Sequence, residues 1–127
     1  MQVIDTRRAS RHGMPEHALE HWNVDVGDAD IATLDIPPAL RARRFHVDVR
    51  FVVACPAGGE AWHAMTVELN GRRQWSRQIA TSNPGQTDSL DYHVRVDVPE
   101  GEALRVRAST QVKCAARRQL RIEAEEP

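Results

Sequence analysis

The stretch Phe45-His46-Val47-Asp48-Val49-Arg50-Phe51, answered later by Tyr92-His93-Val94-Arg95-Val96-Asp97-Val98, alternates apolar and polar residues one by one. A β-strand turns that period of two into one apolar face and one wet face. A helix would need its apolar residues at every third or fourth position instead. The two stretches are weak echoes of each other, and each runs into a proline-glycine turn. Shared turn rules explain that as readily as duplication does.

The same alternation spreads outward along the chain. It recurs in Trp22, Val24 and Val26, in Ala32, Leu34 and Ile36, in Met65, Val67 and Leu69, and in Leu120, Ile122 and Ala124. Turn signals separate these runs: Pro37-Pro38, Pro56-Ala57-Gly58-Gly59, Asn70-Gly71, Asn83-Pro84-Gly85 and Pro99-Glu100-Gly101. Strands are expected over 44–54, 61–69, from Arg73 through Ile79, over 90–98 and over 103–113. This predicts an all-β fold of about eight strands, an antiparallel two-layer β-sandwich of jelly-roll or Ig-like type. No segment makes a persuasive amphipathic helix. Pro15 to Trp22 allows a turn or two, and Pro38 to Arg43 a short helical connection.

A chain of 127 residues suits one domain. It buries roughly two-thirds of its unfolded surface, enough for a core without metal or disulfide staples. Residues 17–127 are expected to form the sandwich and residues 1–16 a flexible N-terminal arm, with at most a marginal edge strand at Gln2 to Asp5.

Seventeen basic residues against eighteen acidic ones leave a net charge of −1, which disfavours nucleic acid as a partner. Lys113 stands alone among arginines, a bias that reads as a bacterial, high-GC coding background. Met1 to Arg8 lacks the apolar centre of a signal peptide, and no run is long enough to span a membrane. The expectation is a soluble cytoplasmic protein with no membrane partner. Parity turns both Cys55 and Cys114 inward, as buried thiols; a disulfide closing the long loop between them is the alternative.

No nucleophile elbow, phosphate loop or dinucleotide fingerprint is present, so no cofactor is expected and the reading leans away from an enzyme. His46, His93 and Asp48 share an outward parity, and a metal-dependent or acid–base enzyme would draw on those three. His17 and His21 stand four apart but lack the arrangement of a zinc protease. Otherwise the outward charges are expected to pair across strands, the alternative being a face that recognises anions or sugars through arginine forks.

The few aromatics divide by parity. Trp22 and Tyr92 belong inside. Trp62 has the parity opposite to Met65 and Val67, and Trp75 follows the Asn70-Gly71 hairpin. An exposed ring stacks on sugar C–H groups, whereas a shielded one caps the core. Arg41, Arg43 and Arg44 precede the long strand, and Arg72 and Arg73 follow the hairpin. If strands 44–54 and 61–69 are neighbours, both clusters share one end, suited to an anion or an acidic partner.

The sequence therefore points to a small non-catalytic module that binds a carbohydrate or a protein partner. Its contact candidates are Trp62, Trp75, Arg41, Arg43, Arg44, Arg72 and Arg73. A structural or assembly subunit, joined through free sheet edges, is the further alternative. The oligomeric state is left open.

Overall fold

The computed structural model describes residues 18–55 and 59–127. The expected N-terminal arm and His17 lie outside the described residues. Eight strands follow in order: β1 (His21–Asp25), β2 (Ile31–Ile36), β3 (Arg43–Ala54), β4 (Trp62–Leu69), β5 (Arg72–Ala80), β6 (Thr87–Val98), β7 (Leu104–Lys113) and β8 (Ala116–Glu125). They form two antiparallel sheets. Sheet I has the order β1-β8-β3-β6 and sheet II the order β2-β7-β4-β5. Every connection crosses between the sheets except the β4–β5 hairpin. That is a jelly roll, and it sets aside the Ig-like order, in which the first two strands share a sheet with the fourth and fifth.

The two echoed stretches are β3 and β6, and they pair directly, with Asp48 opposite His93 and Phe45 opposite Val96. Parity then decides burial. Phe45, Val47, Val49, Phe51 and Val53 have no more than 1% of their surface exposed. They meet Leu34, Ile36, Met65, Val67, Leu104 and Val106 from sheet II. Each large side chain sealed this way contributes roughly 1.5–3 kcal/mol. On β6, an edge strand, Tyr92, Val94 and Val96 are only half-buried, although they pack against the same core.

Asn70 and Gly71 both adopt positive φ, 50° and 81°, as a two-residue hairpin turn requires. Asn70 then clips the hairpin to β7: its side-chain oxygen accepts from the Arg105 backbone N–H at 2.7 Å, and its own backbone N–H donates to the Arg105 carbonyl at 2.9 Å.

Four expectations need correction. Residues 37–42 form bends and extended chain, not a helical connection, because Pro37-Pro38 and the buried Arg43 fix the path. His21 and Trp22 lie in β1, not in a helical turn. Strand β6 begins three residues early, at Thr87. Cys114 is exposed, because β7 ends at Lys113 and Cys114 turns the chain at φ 54°, which breaks the inward parity. Cys55 is buried as expected, while Cys114 is an exposed free thiol, so no bridge closes the loop.

Candidate ligand-binding face

The outer surface of sheet II is built from the residues that alternate with its core. On β4 these are Trp62, Ala64, Thr66 and Glu68, the intervening His63, Met65 and Val67 being buried. On β7 they are Arg105, Arg107, Ser109 and Gln111. Register sets Thr66 between Ser109 and Ser76, and Ala64 between Gln111 and Gln78. The middle of the sheet is thus a carpet of hydroxyls and side-chain amides. A groove of about 440 Å³ runs over it, lined by Ala64, Thr66, Ser76, Gln78, Ser109 and Gln111, with Asp30 and Arg77 also in its wall. The Thr66 and Ser76 hydroxyls lie 2.9 Å apart and bond one another rather than a base.

Two further hollows flank the groove. Beside Trp62 lies one of about 490 Å³, which shares Gln78 with the central groove. At the hairpin end lies one of about 670 Å³, walled by Asp35, Glu68, Asn70, Arg105 and Arg107. From Trp62 to Glu68 the track follows β4 for about 20 Å. At its far end Arg105 donates to Asp35 at 2.7 Å, while Glu68 faces Arg107 and Arg73 in register.

Trp62 is half-buried and bounded in register by Ala80 and Lys113. Next to it, on the inner side, is His63, fully enclosed. Its Nδ1 lies 2.7 Å from the Thr81 hydroxyl and its Nε2 has no hydrogen-bond partner. Burial pushes the His63 pKa down, with Asp88 pulling in the opposite direction, so the ring is neutral at neutral pH. The sequence reading passed over His63, although the parity of Met65 and Val67 already turned it inward.

Trp75 takes the other face. It sits opposite Val67, one residue before the β4–β5 register shifts, and so turns inward. Its ring stacks on Tyr92 of β6 at 4.9 Å and 18°, closing the side of the sandwich between the two sheets. Trp62 and Trp75 do not share a surface.

The two arginine clusters do share one end of the sandwich, but not for the reason expected. Strands β3 and β4 lie in opposite sheets; the crossing connection reverses the chain and brings the end of β4 beside the start of β3. Arg41 forks onto Glu126, donating to Oε2 at 2.8 Å and also to Oε1, and reaches Glu20 at 3.1 Å. Arg43 is buried, with a guanidinium that donates to Glu20 and to the Pro37 and Glu102 carbonyls. Burial works against the Glu126 carboxylate, but Arg41 and the Glu20 amide outweigh it and hold the pKa below the usual range. Arg44 is exposed and bonds Asp97 at 2.7 Å. Arg72 and Arg73 are exposed at the hairpin, Arg73 on the groove side opposite Glu68.

The outer face of sheet I carries His21, His46 and His93. His93 Nδ1 lies 2.6 Å from Asp48, and the His46 and His93 rings meet edge to face at 5.9 Å. His21 pairs with Glu123 at 2.8 Å. His46, His93 and Asp48 are therefore neighbours, yet among the described residues no three His, Cys, Asp or Glu side chains are placed to hold a metal ion. Nor is there, among those residues, a helix long and apolar enough to cross a membrane.

No family model matches the chain, and no curated protein matches it by sequence. Its fold is similar to part of PorU from Porphyromonas gingivalis, in the crystal structure of the dimeric latent form. The TM-score is 0.54 at 14% identity, over 83% of this chain and 10% of that one. A mosquito-larvicidal toxin from Bacillus thuringiensis gives 0.48 at 10% identity, over 80% and 18%. A family 35 carbohydrate-binding module from Cellvibrio japonicus gives 0.45 at 17%, over 77% and 67%. The chain spans about a tenth and about a fifth of the first two. The likeness to PorU shows the sandwich fold and nothing of its work.

Proposed function

We propose that this protein is a non-catalytic β-sandwich module that binds carbohydrate along the outer face of sheet II. The observation that carries the reading is Trp62, turned outward at one end of a groove whose floor is hydroxyl and amide. A sugar offers C–H faces to an aromatic ring and hydroxyls to short polar side chains. Most of the lining is uncharged, Asp30 and Arg77 being the charged groups in its wall, so binding there strips little ionic hydration. In this reading Trp62 stacks, while Thr66, Ser76, Gln78, Ser109 and Gln111 hydrogen-bond. Arg73, with Arg72 next to it, borders the far end. Trp75, Arg41, Arg43 and Arg44 serve the fold, since their rings and guanidinium groups already have partners within it.

A glycan array followed by intrinsic fluorescence titration tests the reading. Binding to at least one glycan class is expected, with loss of the signal in Trp62→Ala and retention in Arg44→Ala. An array without a hit, or a hit that Trp62→Ala leaves unchanged, refutes it. Capture of a protein ligand by the same face would replace sugar with a protein partner.

A further inference from the structure

Each sheet of the sandwich ends in two edge strands, and one of the four differs from the rest. Strands β1 and β2 have 5 and 6 residues, and β5 is interrupted by a register shift. Strand β6 has 12 residues and pairs with β3 without a shift along its whole length. It contains no proline, lysine or bulge, three of the devices that blunt an edge. Its apolar residues also lack cover. Tyr92, Val94 and Val96 are half-buried, whereas Val49, Val47 and Phe45, their register partners on β3, are sealed. An added strand would cover them.

The outward residues of β6 say which strand fits. They read Ser89, Asp91, His93, Arg95 and Asp97, with opposite charges at Asp91 and Arg95 equally spaced about His93. Antiparallel pairing of two copies about a dyad at His93 sets Asp91 of each opposite Arg95 of the other. It also brings Tyr92 against Val94, and Leu90 against Val96. Moving the register two residues one way sets Asp91 against Asp97, which repel. Moving it the other way leaves Arg95 facing only Ser89. Within the monomer Asp48 already holds His93, Arg44 holds Asp97, and Asp91 has only a long contact with Arg50 at 3.9 Å beside the Ser89 hydroxyl, while Arg95 has no ion pair among the described residues.

We infer that the free edge of β6 joins a second copy of this chain, antiparallel about a dyad at His93, into one continuous eight-stranded sheet. The contact is an edge ladder of modest area, so association is weak and depends on concentration. It leaves the outer face of sheet II open in both copies.

Sedimentation equilibrium from micromolar to near-millimolar protein tests this. The weight-average mass should rise from 14.3 kDa toward twice that value. Arg95→Asp, which places like charges together twice per dimer, should weaken association by about tenfold or more. The double variant Asp91→Arg with Arg95→Asp restores the opposite charges and should recover it. Circular dichroism of each variant confirms that the sandwich is intact. A native chain that stays monomeric throughout overturns the inference. So does a dimer indifferent to Arg95→Asp, or a double variant that fails to recover.

Discussion

The outer faces of the two sheets obey the same alternation and do opposite things with it. On sheet I the outward residues are mostly ionic, and most of the charges are engaged: His93 with Asp48, His21 with Glu123, Arg44 with Asp97, Arg95 being an exception among the described residues. On sheet II the centre is mostly uncharged, and its hydroxyls and amides line most of a groove with Trp62 beyond one end. A face whose charges answer each other has little recognition capacity left. A face of small neutral donors and acceptors keeps its capacity for a ligand. Polarity alone makes the strand; the kind of polar residue decides what the surface can recognise.

If charge on the sheet I side serves structure, the largest effect should follow from removing Glu20, the carboxylate that holds buried Arg43. Glu20→Ala leaves that guanidinium enclosed and unpaired and should cost about 3–5 kcal/mol of stability. Urea unfolding measures it; glycan affinity of the folded fraction should not change. Trp62→Ala is the converse. Its affinity should fall by roughly thirtyfold, about 2 kcal/mol, by calorimetric titration. Its unfolding free energy should stay within about 1 kcal/mol of the native value, since the ring lies outside the core.

A smaller effect comes from beneath the tryptophan. His63 is buried and its folded pKa is depressed, so the unfolded chain takes up the proton first. Stability should therefore decline as pH falls below about 6.5, the ordinary imidazole value. Thermal midpoints recorded from about pH 7 down to about pH 5 should drop in the native chain and drop less in His63→Phe. Glu126 acts in a separate window, because its stabilisation is lost only below about pH 4.5. Smallest of all is Asp48→Ala on the ionic face. Its exposed pairing with His93 should be worth about 0.2–1 kcal/mol, with glycan affinity unaltered.

Much of this was legible in the sequence. Period two named the strands, Asn70-Gly71 named the hairpin, and parity alone separated Trp62 from Met65 and Val67. Strand order was not legible, because alternation is silent about which strands pair across a crossing connection. That is why the arginine clusters share an end without sharing a sheet. The inward turn of Trp75 depends on where the β4–β5 register shifts, and the exposure of Cys114 on a positive φ; neither leaves a trace in composition. The groove was invisible for a related reason. Thr66, Ser76, Ser109, Gln78 and Gln111 come from three strands, and only their register assembles them.

Amide chemical-shift mapping during titration with an oligosaccharide chosen from the array tests the central claim most directly. The account predicts shifts confined to the outward residues of sheet II, at Ala64, Thr66, Ser76, Gln78, Ser109 and Gln111, together with the Trp62 indole. Shifts gathered instead on Asp48, His93 and Glu123 would contradict it.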